Sequence, residues 1–497
     1  MKRTLFTSIA TTCCAAALFI TGCYTPGEKW NQYVNLSQVA CSFLGCDNEP
    51  LAVDIKTSPT QWTATPGASW VRIDRTDERT LTISVDDNDS GAERNTVITI
   101  EAGQASQQIR INQLAPDNEF ARYRRLETFQ MGAAMSPSGR YIGGFQSSIA
   151  PDDSWQYSPT IIDTETGEVY EFGPFPESLY YLTQTMAITD QGLLFISDGY
   201  HGGQIAINTQ GDICIPDAPA DYRFRPEIQA TSADGKYWVG YAQDESPNNG
   251  GLTRPLLWID GEARELPILD LNYRDGEIWV GVMARGISAD GSVIYGTSWE
   301  GSDFGMLYWI NDEANTAEPK WVGHDKRKVT PVIMQTGDGT EYESHIVDGC
   351  ICTAELTKIS PSGKWIATTF RTEEVAEGGV AFNITQTPAF FNTETETTVI
   401  VDEYSDSTGM YVTDDGIAFI GIGTLGVSSS VVYDLNTRTT LGSMAEWVYD
   451  TYELIIPGSG FISYVSPDGK HILGSMPMAS ALGVTFVSWY VAPPIVK

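Results

Sequence analysis

Histidine is the scarcest of the side chains on which catalysis and metal binding usually depend. The 497 residues include only His201, His324, His345 and His471, and no two of them have the His-x-x-x-His spacing of a zinc site. A Gly-x-Ser-x-Gly nucleophile elbow is also missing. We therefore expect a protein that is not an enzyme and that uses no cofactor and no metal.

Cations are scarce as well. The chain has 30 Lys and Arg residues against 64 Asp and Glu residues, a formal charge of −34 at pH 7. If an N-terminal leader is removed, Lys2 and Arg3 leave with it, and 28 basic residues face 64 acidic ones, a charge of −36. A surface this negative repels phosphate backbones and anionic lipid headgroups. Nucleic acid is therefore excluded as a partner, and charge alone will not hold the protein to a membrane.

Long hydrophobic runs are missing except for one short stretch at the N-terminus. Met1, Lys2 and Arg3 precede an uncharged apolar segment at residues 4–20, which is the layout of a secretory signal. About 17 apolar residues are few for a transmembrane helix, which needs about 20.

The leader ends in Ile20-Thr-Gly-Cys23, which resembles the lipobox of bacterial lipoproteins. The resemblance implies that residues 1–22 are a lipoprotein signal peptide and that Cys23 carries the lipid, palmitate included. The protein would then be exported and anchored at the outer membrane or cell surface through this lipid only. A plain signal peptide, or a transmembrane helix with an accidental cysteine, is the alternative.

Few cysteines remain beyond the leader: Cys41, Cys46, Cys214, Cys350 and Cys352. Cys41 and Cys46 either close a small disulfide loop, as exported proteins allow, or stay unpaired. Cys350 and Cys352 lie two apart in a predicted strand. We expect both of them to be small buried side chains.

The mature chain is expected to be all-β. Residues 23–51 have no sustained hydrophobic period and predict a lipid-anchored tether. Residues 52–116 contain short runs of alternating polarity separated by turn formers, which predict a compact antiparallel β-sandwich with an immunoglobulin-like appearance. The runs are Trp62–Thr65, Trp70–Asp74, Leu81–Val85, Thr96–Ile100 and Gln108–Asn112.

The residues that frame these runs resemble the BACON domain family, small sandwiches of exported bacterial proteins. The matching segments are Trp62, Ala68–Val71, Ile83–Asp86 with Asn88, Glu93–Thr96 and Ile111–Gln113. The family's name implies carbohydrate binding, although such modules also serve as spacers. We interpret Trp62 and Trp70 as core residues and Asp86–Asp89 as a solvated turn rather than a calcium site.

One phrase recurs seven times between residue 117 and the end of the chain. Each copy is an apolar run, a turn of the form Ser/Thr-x-x-Gly, and a second apolar run, so that Gly would adopt positive φ in a hairpin. The turn glycines are Gly139, Gly192, Gly235, Gly291, Gly363, Gly416 and Gly469.

A second phrase, such as Pro255–Gly261 or Pro388–Glu394, follows the copies and adds two further strands. Four strands per unit are typical of a propeller blade, so residues 117–497 predict a seven-bladed β-propeller. The repeats are longer than usual blades, and we expect the surplus in long loops, above all between Trp321 and Cys350. The last copy lacks a fourth strand, and we expect part of Phe120–Phe129 to supply it.

These features predict a cell-surface binding module that holds a glycan on the propeller face opposite the Gly turns. The alternatives are an interaction scaffold for another envelope protein and a propeller-type polysaccharide lyase or glycosidase. Loops joining second to third strands would supply the aromatic ligand-binding side chains, beside Asp153, Asp198 and Asp303. Those side chains are Trp155, Tyr157, Tyr200, His201, Trp299 and Phe304. The same side chains could instead pack their own loops.

Overall fold

The structure is a computed structural model that describes most of the chain beyond residue 31. The described residues are 32–43, 45, 48, 50–88, 94–113, 123–126, 129, 132–152, 154–199, 203–219, 222, 226–243, 252–269, 273–274, 277–278, 281–300, 303–312, 318–335, 339–352, 358–375, 381–423, 429–452, 454, 456, 460–480 and 483–493. The chain divides into two compact units. One comprises Met1–Glu119 with Ala445–Ile456, and the other comprises Phe120–Met444 with Pro457–Lys497.

Two four-stranded sheets form most of the first unit. The strands are β1 Tyr33–Leu36, β2 Ala40–Phe43, β3 Leu51–Ser58, β4 Thr63–Pro66, β5 Val71–Arg75, β6 Thr80–Val85, β7 Arg94–Ala102 and β8 Ala105–Gln113. One sheet has the order β1-β3-β6-β5 and the other has the order β2-β8-β7-β4. Alternate residues of both sheets point into a single hydrophobic core.

Trp62 and Trp70 of the first unit pack as the sequence predicts. Trp62 is buried, and its indole N–H donates to the carbonyl of Glu78 at 2.9 Å while Arg75 lies 4.2 Å above its ring. Trp70 packs against the edge of the core below Arg94. Two cation–π contacts therefore cover the tryptophan faces that a sugar would need.

The boundary between the predicted tether and the sandwich differs from the sequence prediction. β1 pairs with β3 and β2 pairs with β8, so the predicted tether of residues 23–51 contributes one strand to each sheet. A four-residue run is too short to show a period, and both strands are recruited by pairing with distant residues. Cys41 lies in β2 as a buried free thiol whose pKa burial raises to about 12. Cys46 and Cys23 lie outside the described residues.

A single nine-residue helix, α1 Met444–Tyr452, interrupts the strands of the described chain. Most of it groups with the first unit, although the sequence predicts that residues 117–497 form one propeller domain. None of the described helical residues forms a segment long and apolar enough to cross a membrane.

Among its described residues, the second unit contains seven larger antiparallel sheets, each built on four strands, and in the first six of them the four strands follow one another along the chain as a meander. The first sheet holds β10 Ala134–Met135, β11 Tyr141–Ile149, β12 Trp155–Asp163 and β13 Val169–Glu171, with the short β14 Phe175–Pro176 beside β12. The second holds β15 Leu182–Ile188, β16 Leu194–Asp198, β17 Gly203–Ile207 and β18 Ile213–Cys214, and the third holds β19 Glu227–Thr231, β20 Tyr237–Gln243, β21 Thr253–Ile259 and β22 Glu262–Glu265.

The remaining four sheets repeat the same meander. The fourth holds β25 Val282–Ile287, β26 Val293–Glu300, β27 Asp303–Ile310 and β28 Lys320–Trp321, and the fifth holds β31 Cys350–Cys352, β32 Trp365–Val375, β33 Ala381–Asn392 and β34 Thr397–Ile400. The sixth holds β35 Ser407–Val412, β36 Ile417–Ile422, β37 Ser429–Asp434 and β38 Thr439–Ser443, and the seventh holds β39 Phe461–Val465, β40 Ile472–Ser480 and β41 Gly483–Val491.

Two small hairpins lie between these sheets. They are β23 Tyr273–Arg274 with β24 Glu277–Ile278, and β29 Lys328–Gln335 with β30 Glu341–Asp348. The extra residues of the long repeat, which the sequence analysis places in a loop between Trp321 and Cys350, therefore largely form a regular hairpin. Its strands each have eight residues, and Gly337-Asp-Gly339 between them is a turn signal that the sequence prediction did not use.

The seventh sheet receives its fourth strand from the beginning of the unit. β9 Tyr123–Leu126 pairs antiparallel with β41, with Tyr123 opposite Val491. The prediction that part of Phe120–Phe129 supplies the missing outer strand is confirmed. Leu126 then packs with Ile142 of the first sheet and Leu473 of the seventh in one core cluster.

A hydrophobic core lies between most consecutive sheets. Phe145 and Leu194 share one cluster between the first and second sheets, and Phe195 and Trp258 share the next. The pattern continues through the fourth, fifth and sixth sheets. Each sheet is thus buried on both faces, which explains why its central strands are continuous apolar runs.

All seven turn glycines have positive φ, between +68° and +87°. Each glycine N–H donates to the carbonyl of the Ser or Thr that opens its turn, at 2.8 to 3.1 Å. The hydroxyl of that Ser or Thr accepts a backbone N–H four or five residues further on, at 3.0 or 3.1 Å. The repeated phrase is therefore a turn in which glycine supplies the backbone conformation and the hydroxyl closes the hairpin.

The seam between the seventh and first sheets is tight at this turn. The imidazole of His471 is buried against Gly139, and burial lowers its pKa. A Cβ on residue 139 would overlap the His471 ring, whereas a Cβ on Gly469, the equivalent turn glycine of the seventh sheet, would meet nothing within 4 Å.

This difference predicts that the same substitution at two equivalent turns lowers the free energy of unfolding by different amounts. Gly469→Ala should lower the free energy of unfolding by about 1 to 2 kcal/mol, because only the left-handed backbone is strained. Gly139→Ala should lower it by roughly 1 to 3 kcal/mol more, because the new methyl group must displace His471. Denaturant unfolding monitored by tryptophan fluorescence would measure both. Equal losses would contradict the packing of the seam.

Candidate functional site

The Gly turns at one end of the sheets are joined by hydrogen bonds from each sheet to the next. For example, Ser138 donates from its hydroxyl to the Asp190 carboxylate at 2.7 Å, and Ser362 does the same to Asp414. The other links are Gln191 to the carbonyl of Asp234, the Ala233 N–H to the carbonyl of Ala289, the Asp290 N–H to the carbonyl of Pro361, the Tyr411 hydroxyl to the carbonyl of Val465 and the Tyr464 hydroxyl to the carbonyl of Pro137. The series runs from the first sheet to the seventh and returns to the first.

The turns between third and fourth strands lie at the same end and bond to the Gly turns of their own sheets. The hydroxyls of Thr164 and Thr393 donate to the carbonyls of Gly139 and Gly363, at 2.9 and 2.7 Å. The side-chain amide of Asn311 donates to the carbonyl of Gly291 at 2.6 Å. Because these polar groups are satisfied within the protein, the turn end has few left for a ligand.

Exposed aromatic and aliphatic side chains lie at the opposite end of the first and second sheets. Trp155 pairs across strands with Ile149, so both side chains point to the same face, and they are 44% and 61% exposed. Tyr181, which precedes β15, is 40% exposed. We call Ile149, Trp155 and Tyr181 the aromatic patch.

Two residues predicted for the ligand face are instead packing residues. Tyr157 is only 5% exposed, because its ring is enclosed by Phe145 and Tyr181 at centroid distances of 6.0 and 6.2 Å. Asp198 is buried, and its carboxylate accepts the Tyr181 N–H at 3.1 Å. Both residues therefore support the aromatic patch from below and have no surface to offer a ligand.

The remaining predicted residues fall into two groups. Trp299 and Phe304 are paired with each other at the ends of β26 and β27, in strands rather than in the predicted loop, because this hairpin extends further than its apolar pattern indicates. Asp303 begins β27. Tyr200, His201 and Asp153 lie outside the described residues.

A polar cluster on the third and fourth sheets was missed by the sequence predictions. Arg285 of β25 donates to the Gln229 side-chain oxygen at 3.3 Å and lies 5.5 Å from the ring centroid of Tyr241. The Tyr241 hydroxyl donates to the carboxylate of Glu227 at 2.7 Å. The available signal was an arginine in the otherwise apolar run before a Gly turn, at the same repeat position as Gln229.

Within the described residues, no group of three His, Cys, Asp or Glu side chains could hold a metal ion. At Asp86–Asp89, which the sequence predicts to be a solvated turn rather than a calcium site, the backbone carbonyl of Asp86 accepts the side chains of Arg94 and Gln113, at 2.6 and 3.0 Å. The backbone oxygen that could have served a cation is thus engaged by side chains of the first unit.

Trp155 and Tyr157 lie two residues apart in one strand, and they provide a matched test of this geometry. Tyr157→Ala should lower the free energy of unfolding by about 3 to 5 kcal/mol, because it empties a space between two sheets. Trp155→Ala should cost less, about 1 to 2 kcal/mol, because 44% of this side chain is already exposed to solvent. Thermal and denaturant unfolding would measure both, and a large loss in Trp155→Ala would show that this side chain is a core residue.

Several solved structures resemble the chain at low identity. TolB from Acinetobacter baumannii is 11% identical with a TM-score of 0.32, covering 88% of this chain and 81% of that one. The Dos1 propeller is 11% identical with a TM-score of 0.35, covering 94% and 98%. The β-propeller domain of the Trilobed protease from Pyrococcus furiosus is 9% identical with a TM-score of 0.28, covering 72% and 95%. All three TM-scores are below 0.5.

No curated protein matches the chain. One family model does match part of the first unit, and it agrees with the resemblance found in the sequence. Residues 60–114 match the BACON family, described as "Putative binding domain, N-terminal".

Proposed function

We propose that the protein is an exported, lipid-anchored binding protein and not an enzyme. In this proposal the second unit is a closed seven-bladed β-propeller that holds a glycan at the end opposite the Gly turns. The first unit is an immunoglobulin-like sandwich that serves as a spacer between the lipid and the propeller.

Two features of the second unit support the proposal of a closed propeller. Its sheets share hydrophobic cores from one to the next, and β9 pairs with β41 and so brings the first and last sheets together. The hydrogen bonds between turns return from Tyr464 to Pro137, 327 residues apart in sequence. A closed ring accounts for both observations, since an open row would leave two apolar sheet faces in water.

The aromatic patch is the observation that carries the glycan proposal. The indole of Trp155 is partly exposed to solvent. It lies at the end of the sheets away from the Gly turns, whose polar groups are hydrogen-bonded to each other. Sugars bind such rings through their C–H faces, while their hydroxyls bond to nearby polar groups. Asp152 lies in the adjoining loop, where its carboxylate accepts Ser154 at 2.6 Å.

One feature of the patch favours the second candidate, a scaffold for another envelope protein. Ile149 is aliphatic and more exposed than Trp155, and an aliphatic side chain beside an aromatic one is common where proteins dock. Both candidates place the ligand at the same surface. They differ in whether a polysaccharide alone suffices for binding.

Retention on immobilised polysaccharides tests the proposed function. In affinity electrophoresis through gels that contain neutral or acidic polysaccharides, the full chain should be retarded by at least one of them. Trp155→Ala should weaken this retention about tenfold or more. Truncation of an aromatic side chain that a bound ligand covers costs roughly 2 kcal/mol of binding free energy. Ile310→Ala, an exposed apolar position next to the opposite turns, should leave retention unchanged.

Two outcomes would overturn parts of this proposal. Retention that is equal in Trp155→Ala and in the unaltered chain would remove the aromatic patch from the site. An unaltered chain that no polysaccharide retards, but that a purified envelope protein binds through Trp155, would establish the scaffold instead.

Lipid attachment has its own test, with a matched control in the leader. In a bacterium that processes lipoproteins, Cys23→Ser should abolish incorporation of a labelled fatty acid, because its thiol is the proposed attachment point. Cys14→Ser should not, since Cys14 would be removed with the signal peptide. Continued labelling of Cys23→Ser would contradict the lipid anchor.

A further inference from the structure

A β-bulge recurs at one position of the first strands in the second unit. In the second, third, fourth, sixth and seventh sheets, the register with the second strand shifts three residues before the Ser or Thr of the Gly turn. The extra residues are Met186, Gln229, Arg285, Met410 and Ser463. A bulge leaves one residue unpaired in the ladder and redirects its side chain.

The bulge of the fourth sheet requires a glycine on the neighbouring strand. Gly296 lies opposite Ala284, and a Cβ on Gly296 would overlap the backbone oxygen of Met283. Gly240 has the same relation to Glu227 in the third sheet. These two bulges are therefore part of the fold and do not depend on the side chains that they redirect.

The redirected side chains of the third and fourth sheets meet. First strands of neighbouring sheets contact each other, including β15 with β19 and β19 with β25, as expected of the innermost strands of a ring. Arg285 reaches Gln229 of the adjacent sheet and lies over Tyr241. All three side chains are partly exposed, so the guanidinium is held in place and remains accessible.

The guanidinium of Arg285 has no carboxylate partner among the described residues. Its one hydrogen bond to a side chain goes to a neutral amide, and Glu227, the one acid in the described first strands, accepts the Tyr241 hydroxyl instead. Within their described bounds, the seven first strands hold Glu227 and Arg285 as their only charged residues. In a chain with 64 acidic residues, an arginine without an ion pair leaves several donors for an anion from outside.

Lys358 adds a second cation near the first strand of the fifth sheet. It lies one residue before Ile359, which bridges to Ile366. Its side chain is exposed. The described first strands and Lys358 together carry two cations and one acid, in a chain whose overall charge is strongly negative.

We propose that Arg285 is a specificity-determining residue that binds the carboxylate of an acidic sugar. The planar guanidinium matches a carboxylate with two parallel hydrogen bonds, and Gln229 and Tyr241 fix its orientation. The inference rests on the proposed glycan-binding function and extends it with a contact on the third and fourth sheets, in addition to the aromatic patch on the first and second, and it names the class of glycan as one that carries uronic acids. Because the negative surface repels an acidic ligand as well, the contact with Arg285 must outweigh that repulsion.

A matched pair of ligands and a matched pair of variants test the proposal. Calorimetric titration would compare an oligogalacturonate with its methyl ester, which has the same sugars without the charge. The unaltered chain should prefer the acid, and Arg285→Gln should reduce its affinity for the acid about tenfold or more while its affinity for the ester stays within twofold. Arg285→Lys keeps the charge but lacks the planar fork, and it should have intermediate affinity.

Arg264→Gln is the control for net charge, because it removes a cation from the outer strand β22 and should leave both affinities unchanged. Circular dichroism and thermal unfolding should be the same for all four proteins. Equal affinity of the unaltered chain for acid and ester, or an equal loss of both ligands in Arg285→Gln, would overturn the role of Arg285 and leave glycan binding intact.

If neither sugar binds, the proposed glycan-binding function and the acidic-sugar ligand class are both wrong. An NMR titration with sulfate would then show whether Arg285 still forms a binding site for an anion. Chemical-shift changes that saturate in the unaltered chain and disappear in Arg285→Gln would retain an anion site without a glycan. The absence of such changes would remove the site altogether.

Discussion

Every sheet of the second unit has two apolar faces, and both must be covered by another sheet. Cores shared by consecutive sheets meet this requirement along the row, and the cluster that joins Leu126, Ile142 and Leu473 meets it at the ends. The pairing of β9 with β41 is the step on which the rest depends. Without it the first and seventh sheets would each expose a face, since the chain has no other strand to complete the seventh sheet among its described residues.

Closure of this kind assigns different roles to the two ends of the sheets. At one end, the Gly turns bond to each other and to the turns between third and fourth strands, so their sequence is constrained by the ring itself. At the other end, the ends of β11 and β12 carry Ile149 and Trp155, and the connection before β15 carries Tyr181, all in exposed positions. A change at this second end alters a surface without disturbing the closure, which is the condition under which a rigid scaffold can acquire a binding site.

The same constraint also shapes the innermost strands. In five of the seven sheets the first strand has a bulge at a fixed repeat position, and glycines such as Gly240 and Gly296 make room for it. Each bulge redirects one side chain, and in the third and fourth sheets this brings together residues that are far apart in sequence. Arg285 and Gln229 are 56 residues apart in the chain and in hydrogen-bonding contact in the structure.

The sequence by itself determined the features that depend on a few adjacent residues. Positive φ at Gly139 and its six equivalents follows from a local turn that only glycine fits easily, and the missing fourth strand was found because the apolar runs could be counted. The tertiary structure alone decided which side chains are accessible. The burial of Tyr157 and Asp198, the recruitment of β1 and β2, and the meeting of Arg285 with Gln229 all depend on the register of strands that are distant in sequence. Register is set by packing between sheets, and packing is not encoded in any single stretch of the chain.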